Sequence, residues 1–336
     1  MKSIKQLSVI LLSFLLTTGL AYAQKPKIKF APTQTLRLYP EGQSVDKGLE
    51  GAEGPLESNG LTGPEELREN GNLYNTGDDA RIDLYIPKKC NGQMVVVCPG
   101  GGYGFTSTYN EGLYVAKWMS TKGIATCVVK YRMPNGHWQV PLQDVQNAFR
   151  YCRANAAKWG VKQIGIIGFS AGGHLAATAS TMFKDEVTRP DFSILIYPVI
   201  TFGDKTSHGG TRNNLIGKKE VWDNHDLKVD EYQASMAKYE ELVSWYSTEN
   251  RVSANTPPTF LALSEDDPTV PIANSILYYE KLAEYKVPAD LHIYPTGKHG
   301  WGFSKNEYRG DGKPDKFAAH RASFEKCLSD WLDLLK

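Results

Sequence analysis

Ser170 lies at the centre of Gly168-Phe169-Ser170-Ala171-Gly172, a G-x-S-x-G placed directly after the apolar run Ile164–Ile167 and ahead of the helix-like stretch His174–Met182. That order has a chemical use. A chain turning sharply from strand to helix leaves its middle residue on a strained backbone with the hydroxyl exposed, and glycines on both flanks clear the side chains that would block the turn. A serine held this way becomes a nucleophile when a base takes its proton and an acid orients the base. In a strand–turn–helix setting these partners follow in the order Ser, Asp/Glu, His.

The acid should sit after a late strand. The run Thr259–Leu263 ends in Ser264-Glu265-Asp266-Asp267-Pro268-Thr269-Val270-Pro271, three acids in a row. The D-x-x-V-P spacing selects Asp267, with Asp266 as the alternative. The base should follow the last strand, which ends in Tyr294-Pro295-Thr296-Gly297-Lys298-His299-Gly300-Trp301-Gly302. His299 in that glycine-rich loop is placed to reach both Ser170 and Asp267. His174, four residues into the helix after Ser170, is expected to be a packed structural residue. His292 lies mid-strand, and His137, His208, His225 and His320 lack the position of a base. No pair has metal-ligand spacing, so neither a metal nor a cofactor is expected.

Acyl transfer also needs N–H donors for a developing oxyanion. Cys98-Pro99-Gly100-Gly101-Gly102-Tyr103 follows the apolar run Met94–Cys98, where a glycine loop can bring backbone close to a substrate oxygen. No Gly-Lys-Ser/Thr follows, which excludes a phosphate-binding P-loop. The donors are assigned to Gly101 and Gly102, joined by Ala171 after the nucleophile. Tyr103, Trp138, Trp301 and Phe303 are the aromatic candidates to line a substrate cleft.

Positioning these groups calls for alternating strands and helices. Strands are expected at Ile82–Ile86, Met94–Cys98, Ile124–Lys130, Gln163–Ile167, Phe192–Tyr197, Thr259–Leu263 and Asp290–Tyr294. Several are apolar on both faces, as buried parallel strands are. Helical spacing recurs near Glu111–Lys122, Leu142–Lys158, Ala171–Phe183, Ile272–Lys286 and Phe317–Leu335. The pattern reads as one doubly wound, mostly parallel α/β domain over residues 81–336 with helices on both faces. Residues 201–255 exceed an ordinary connection of ~2–6 residues. This segment, with a helix expected over Asp230–Tyr246, is read as a lid or rim insertion above the carboxyl ends of the strands. Residues 24–80, with eight glycines between Gly42 and Gly77, read as a loop-rich arm.

The first 23 residues read as a cleaved export signal. Lys2 and Lys5 precede the 14-residue apolar run Leu7–Leu20 and the small-x-small site Ala21-Tyr22-Ala23. That run is short of the ~20 residues needed to span a bilayer, and a periplasmic or secreted location follows. The full chain of 336 residues carries 38 Lys+Arg against 37 Asp+Glu; loss of Lys2 and Lys5 leaves 36 against 37. Such a balance argues against a nucleic-acid partner, and no membrane contact is expected once the signal is gone. The five cysteines (Cys90, Cys98, Cys127, Cys152 and Cys327) are odd in number and read mostly as core, with one disulfide left open.

Taken together these pieces resemble the α/β-hydrolase superfamily, and within it the exported bacterial esterases of the acetyl-xylan-esterase-like group. The resemblance covers Ile82 to the C-terminus and rests on PGGGYGF at Pro99–Phe105, YRMP at Tyr131–Pro134, GFSAGGHLA at Gly168–Ala176, GGTRNNLIG at Gly209–Gly217, TPPTFLALSEDDPTVP at Thr256–Pro271 and LHIYPTGKHGWG at Leu291–Gly302. Pro99 stands where lipase-type HGGG loops carry His. The resemblance implies a triad of Ser170, Asp267 and His299, and a serine carboxylesterase removing acetyl groups from plant polysaccharide or a small ester. The same machinery would also serve a feruloyl or other aryl carbohydrate esterase or a serine peptidase, and a non-catalytic carbohydrate-binding member is the remaining alternative. The sequence is silent on oligomeric state.

Overall fold

The computed structural model describes residues 30–39, 64–77, 79–203, 205–303, 315 and 317–336. The expected export signal lies outside the described residues, as does part of the arm.

A central sheet of eight strands runs in the order β1 (Gln34–Arg37), β4 (Arg81–Tyr85), β7 (Ala125–Lys130), β5 (Gln93–Cys98), β8 (Gln163–Phe169), β9 (Ser193–Ile196), β10 (Thr259–Ser264) and β11 (Ala289–Tyr294). From β7 to β11 every pairing is parallel. The first two strands pair antiparallel. Strands β5 and β10 are buried along their whole length, and β8 along all but its first residue. Their unbroken apolar runs are what helices on both sheet faces require. One face packs α2 (Val140–Asn155), α3 (Ala171–Thr181) and α7 (Ala273–Glu284) in a core that includes Val96, Ile166, Phe149 and Leu175. The other packs α1 (Tyr114–Thr121) and α8 (Ala318–Leu334) against Val95, Val97, Ile167 and Phe260.

All seven expected strands are present within one or two residues of their expected ends. The arm, however, is not separate from the sheet. Its β1 supplies the edge strand, and Leu38 and Tyr39 enter the core. Tyr39 Oη also meets Asp144, which is paired at 2.7 Å with buried Arg132 of the YRMP segment. A second, three-stranded antiparallel sheet joins β2 (Glu66–Leu67) and β3 (Asn72–Tyr74) to β6 (Phe105–Ser107), a short strand inside the glycine-loop segment. The insertion carries α4 (Gly209–Ile216), α5 (Lys219–Trp222) and α6 (Val229–Tyr246). Tyr239 and Leu242 of α6 are buried, and Met236 and Val243 pack beside them.

All five cysteines are unpaired, and Cys98, Cys127 and Cys152 are buried. No helix of the described residues is long and apolar enough to cross a membrane.

Candidate active site

Ser170 occupies the turn between β8 and α3 with φ 53° and ψ −120°, a region sparsely open to residues other than glycine. The surrounding backbone holds it there. Its N–H donates to Ile196 O at 3.1 Å, and its carbonyl accepts from His174 N and Val199 N. The flanking glycine allows the helix to approach the neighbouring loop: a Cβ on Gly172 would fall onto the carbonyl oxygens of Cys98 and Pro99.

His299 Nε2 lies 2.8 Å from Ser170 Oγ, and His299 Nδ1 lies 2.6 Å from Asp267 Oδ2. Asp267 Oδ1 accepts Thr269 N–H at 2.8 Å and Val270 N–H at 3.0 Å, so the turn after β10 fixes the carboxylate. Its side chain is 1% exposed. Of the two neighbouring acids, Asp267 meets the imidazole. Asp266 instead accepts Lys298 N–H at 2.8 Å and pairs with Lys298 Nζ at 3.2 Å. A carboxylate on Nδ1 places the imidazole proton there and leaves Nε2 to accept from the serine hydroxyl.

The glycine loop after β5 is pinned from several sides. Tyr131 Oη donates to Pro99 O at 2.6 Å, Gly100 N–H donates to Glu111 Oε2 at 2.7 Å, and Asn214 Nδ2 donates to Gly102 O at 2.8 Å. Gly101, Gly102 and Tyr103 all have positive φ. At Gly101, with φ 133°, a Cβ would run into Phe105 O. Among the described residues no acceptor meets the N–H of Gly101, Gly102 or Ala171.

The sequence marks Glu111 only as the start of a helical stretch, with no role in the site. It is buried, and while Oε2 holds Gly100, Oε1 accepts from Tyr197 Oη at 2.8 Å. Tyr197 Oη in turn accepts Gly302 N–H at 2.9 Å, and the Tyr197 ring packs 4.9 Å from His299. One carboxylate thus ties the glycine loop to the loop that carries the imidazole. The only signal in the sequence was an acid just ahead of the apolar run Leu113–Ala116.

His174 is fully buried, as its position suggested. Its Nδ1 lies 3.0 Å from Tyr103 Oη and its Nε2 lies 2.7 Å from Tyr246 O. The carbonyl can only accept, so Nε2 carries the proton and the tyrosine hydroxyl donates to Nδ1. Burial pushes its pKa down to about 4, against the opposing pull of the Tyr246 carbonyl.

The aromatic expectation needs correction. Tyr103 is 2% exposed and Trp301 is wholly buried, so neither lines an open cleft. Trp301 Nε1 donates to Ser264 Oγ, and its ring stacks on Phe317 at 3.9 Å. Phe303 is buried as well. Trp138 is half-buried against Trp222. The hydrophobic area of Tyr103, Trp301 and Phe303 is used in packing, while Trp138 keeps part of its surface open. Among the described residues no group of three or more His, Cys, Asp or Glu side chains is placed to hold a metal ion.

The arrangement can take a proton from Ser170 to His299 and return it to a leaving group, with spare N–H donors beside the nucleophile. The BD-FAE family model matches residues 82–282, more than half of the chain. An acetylxylan esterase of Xylanibacter ruminicola is 38% identical over 235 residues, covering 68% of this chain and 45% of that protein. The chain therefore spans less than half of that relative's length. The crystal structure of an acetyl ester-xyloside bifunctional hydrolase from Caldicellulosiruptor lactoaceticus is 31% identical with a TM-score of 0.60, covering 76% of this chain and 88% of that one. An α/β hydrolase from a Medee basin deep-sea metagenome library, 23% identical, shares the fold with a TM-score of 0.58 over 76% of this chain and 92% of its own.

Proposed function

The chain belongs to the BD-FAE family and has the α/β-hydrolase fold, and from that premise we propose that it is a serine carboxylesterase that deacetylates plant polysaccharide, with xylan the leading substrate. The observation that carries the proposal is the continuous contact Ser170 Oγ–His299 Nε2, His299 Nδ1–Asp267 Oδ2, at 2.8 and 2.6 Å. Ser170 attacks the ester carbonyl while its proton passes to His299. Asp267 holds the imidazole in the required tautomer and stabilises the imidazolium. The N–H groups of Gly101, Gly102 and Ala171 receive the oxyanion. His299 then protonates the departing sugar oxygen, and water repeats the sequence on the acyl-enzyme to release acetate. The acetyl and xylan assignments draw on the names of the two most similar relatives described above.

The charged first residues, the apolar run and the Ala21-Tyr22-Ala23 site support export, with residues 81–336 as the catalytic domain and 201–255 as a rim over its site. The test is Ser170→Ala, assayed on 4-nitrophenyl acetate and on acetylated xylan, with fluorophosphonate labelling in parallel. Loss of turnover on the order of 10⁶ and loss of the label are expected. Near-wild-type rates, or undiminished labelling, would sink the nucleophile assignment. Release of acetate from the aryl ester but never from xylan would leave the chemistry standing and remove the substrate.

A further inference from the structure

We propose that His208 is a substrate-binding residue on the leaving-group side of this site, donating its Nε2–H to a hydroxyl of the polyol that carries the ester. The inference rests on the esterase reading above and assigns it a specificity determinant. His208 stands at the start of α4, and α4 is the GGTRNNLIG segment, for which the proposed triad has no use.

The ring is oriented by its own helix. Thr211 N–H lies 3.2 Å from His208 Nδ1, and Thr211 Oγ1 lies 2.7 Å from the same atom. A backbone N–H can only donate, so Nδ1 must accept, and the single proton of the neutral ring sits on Nε2. The neutral form is favoured for two further reasons. Burial and the neighbouring His299 hold its pKa below the ordinary value, opposed by Asp267, and the positive end of a helix disfavours a second proton. No acceptor among the described residues meets Nε2. The ring therefore presents one fixed, neutral donor.

The ring borders the glycine loop of the proposed reaction centre. A methyl group placed on Gly102 would lie 3.8 Å from His208 Cε1, and the electrostatic reach of His299 and Asp267 extends to the ring. Asn214 of the same helix donates to Gly102 O, which ties α4 to the glycine loop. A ring beside the glycine loop that also feels His299 and Asp267 is near the path by which the ester's alcohol oxygen departs to collect its proton from His299. An alcohol with neighbouring hydroxyls, as in a sugar, offers an acceptor there. A phenolate leaving group without such hydroxyls does not.

The test compares two acetates that share an acyl group. His208→Asn keeps a good helix cap while withdrawing the extended donor, and its melting temperature checks that α4 is retained. On an acetylated xylo-oligosaccharide kcat/KM should fall about 3–10-fold, the size of one neutral hydrogen bond, chiefly through KM. On 4-nitrophenyl acetate it should stay within about twofold of wild type, because that leaving group offers no hydroxyl for the lost bond. Equal losses on both esters would place His208 behind the glycine loop rather than on the substrate, and no loss on either would remove it from the substrate path; both outcomes overturn the proposal. A wild-type protein active on the aryl ester and inert on the sugar ester would overturn it while leaving the esterase reading intact. Wild-type inactivity on both would overturn the esterase reading and this proposal together.

Discussion

Asp266 and Asp267 are adjacent, similar in type and both close to the imidazole loop, which makes their amide variants a sharp test of the geometry. At position 267 the turn decides how an asparagine must lie. Thr269 N–H and Val270 N–H both point at Oδ1, so the amide oxygen takes that place. The amide NH₂ is then turned toward His299 Nδ1, where Oδ2 had accepted at 2.6 Å. Facing a donor, Nδ1 must become an acceptor, and the imidazole proton moves to Nε2. Nε2 then donates to Ser170 Oγ and can no longer receive its proton. Reversal of this tautomer costs ~10⁴ in kcat in the serine-protease triad, or about 5.5 kcal/mol of barrier, and the same loss is expected for Asp267→Asn. The amide preserves the contacts of the turn, so the fold should be retained.

At position 266 an asparagine keeps an oxygen for Lys298 N–H and loses only a partly exposed ion pair with the lysine head, an interaction worth ~0–1 kcal/mol. Asp266→Asn should therefore hold kcat within about fivefold. The assay is kcat on 4-nitrophenyl acetate across pH, with thermal melts as the folding control. Retention of more than about a tenth of the activity by Asp267→Asn, or an equal collapse in Asp266→Asn, would refute the tautomer argument.

Three further outcomes follow from the same contacts. Ser170 holds a backbone conformation that strains any residue with a Cβ, so Ser170→Gly should be inactive yet more stable than Ser170→Ala by roughly 1 kcal/mol, measured by urea denaturation. Glu111→Ala leaves Gly100 N–H and Tyr197 Oη–H without this acceptor in a buried site; about 2–6 kcal/mol of stability should be lost, and kcat should fall with it. His174 titrates near 4 in the fold because it is buried, against about 6.5 in an unfolded chain. The unfolded state therefore binds the extra proton first, and stability present above pH 6.5 is lost as pH falls, up to about 3 kcal/mol near pH 4. His174→Gln should flatten that slope, and an unchanged slope in chemical denaturation at pH 4–7 would discard the assignment.

Period and composition made the parallel strands legible, because a strand buried on both faces has to be apolar throughout, as Val95-Val96-Val97 and Ile164–Ile167 are. The turn at Ser170 was legible for the same local reason. Elements whose existence depends on distant partners were not. Phe105–Ser107 is three residues long and becomes a strand only by pairing with Asn72–Tyr74, over thirty positions upstream. Gln34–Arg37 is mostly exposed and is ordered by β4. Helix α4 begins with two glycines, poor helix formers, and is capped by a histidine side chain, which no propensity rule anticipates. The aromatic residues misled because their type signals area to bury without signalling where, and Tyr103 and Trp301 bury it inside.

The glycine loop shows how a backbone segment can be left with two usable donors. Its polar groups can be followed one by one. Pro99 O is taken by Tyr131, Gly100 N–H by Glu111, and Gly100 O by Ser107 N–H at 2.9 Å. Gly101 O receives Gly104 N–H and Phe105 N–H, and Gly102 O receives Asn214. Gly101 and Gly102 are only half-buried, so their two consecutive N–H groups, which meet no acceptor among the described residues, are open to a partner from outside. The side chains that take the other groups come from just after β7, from the helical turn before α1, and from α4. Each withdraws one competing hydrogen bond and fixes one point of the loop. In the proposed role, a donor pair held at these points needs little rearrangement when substrate arrives. That is what electrostatic stabilisation of an oxyanion requires, since donors that must first reorient lose much of their effect.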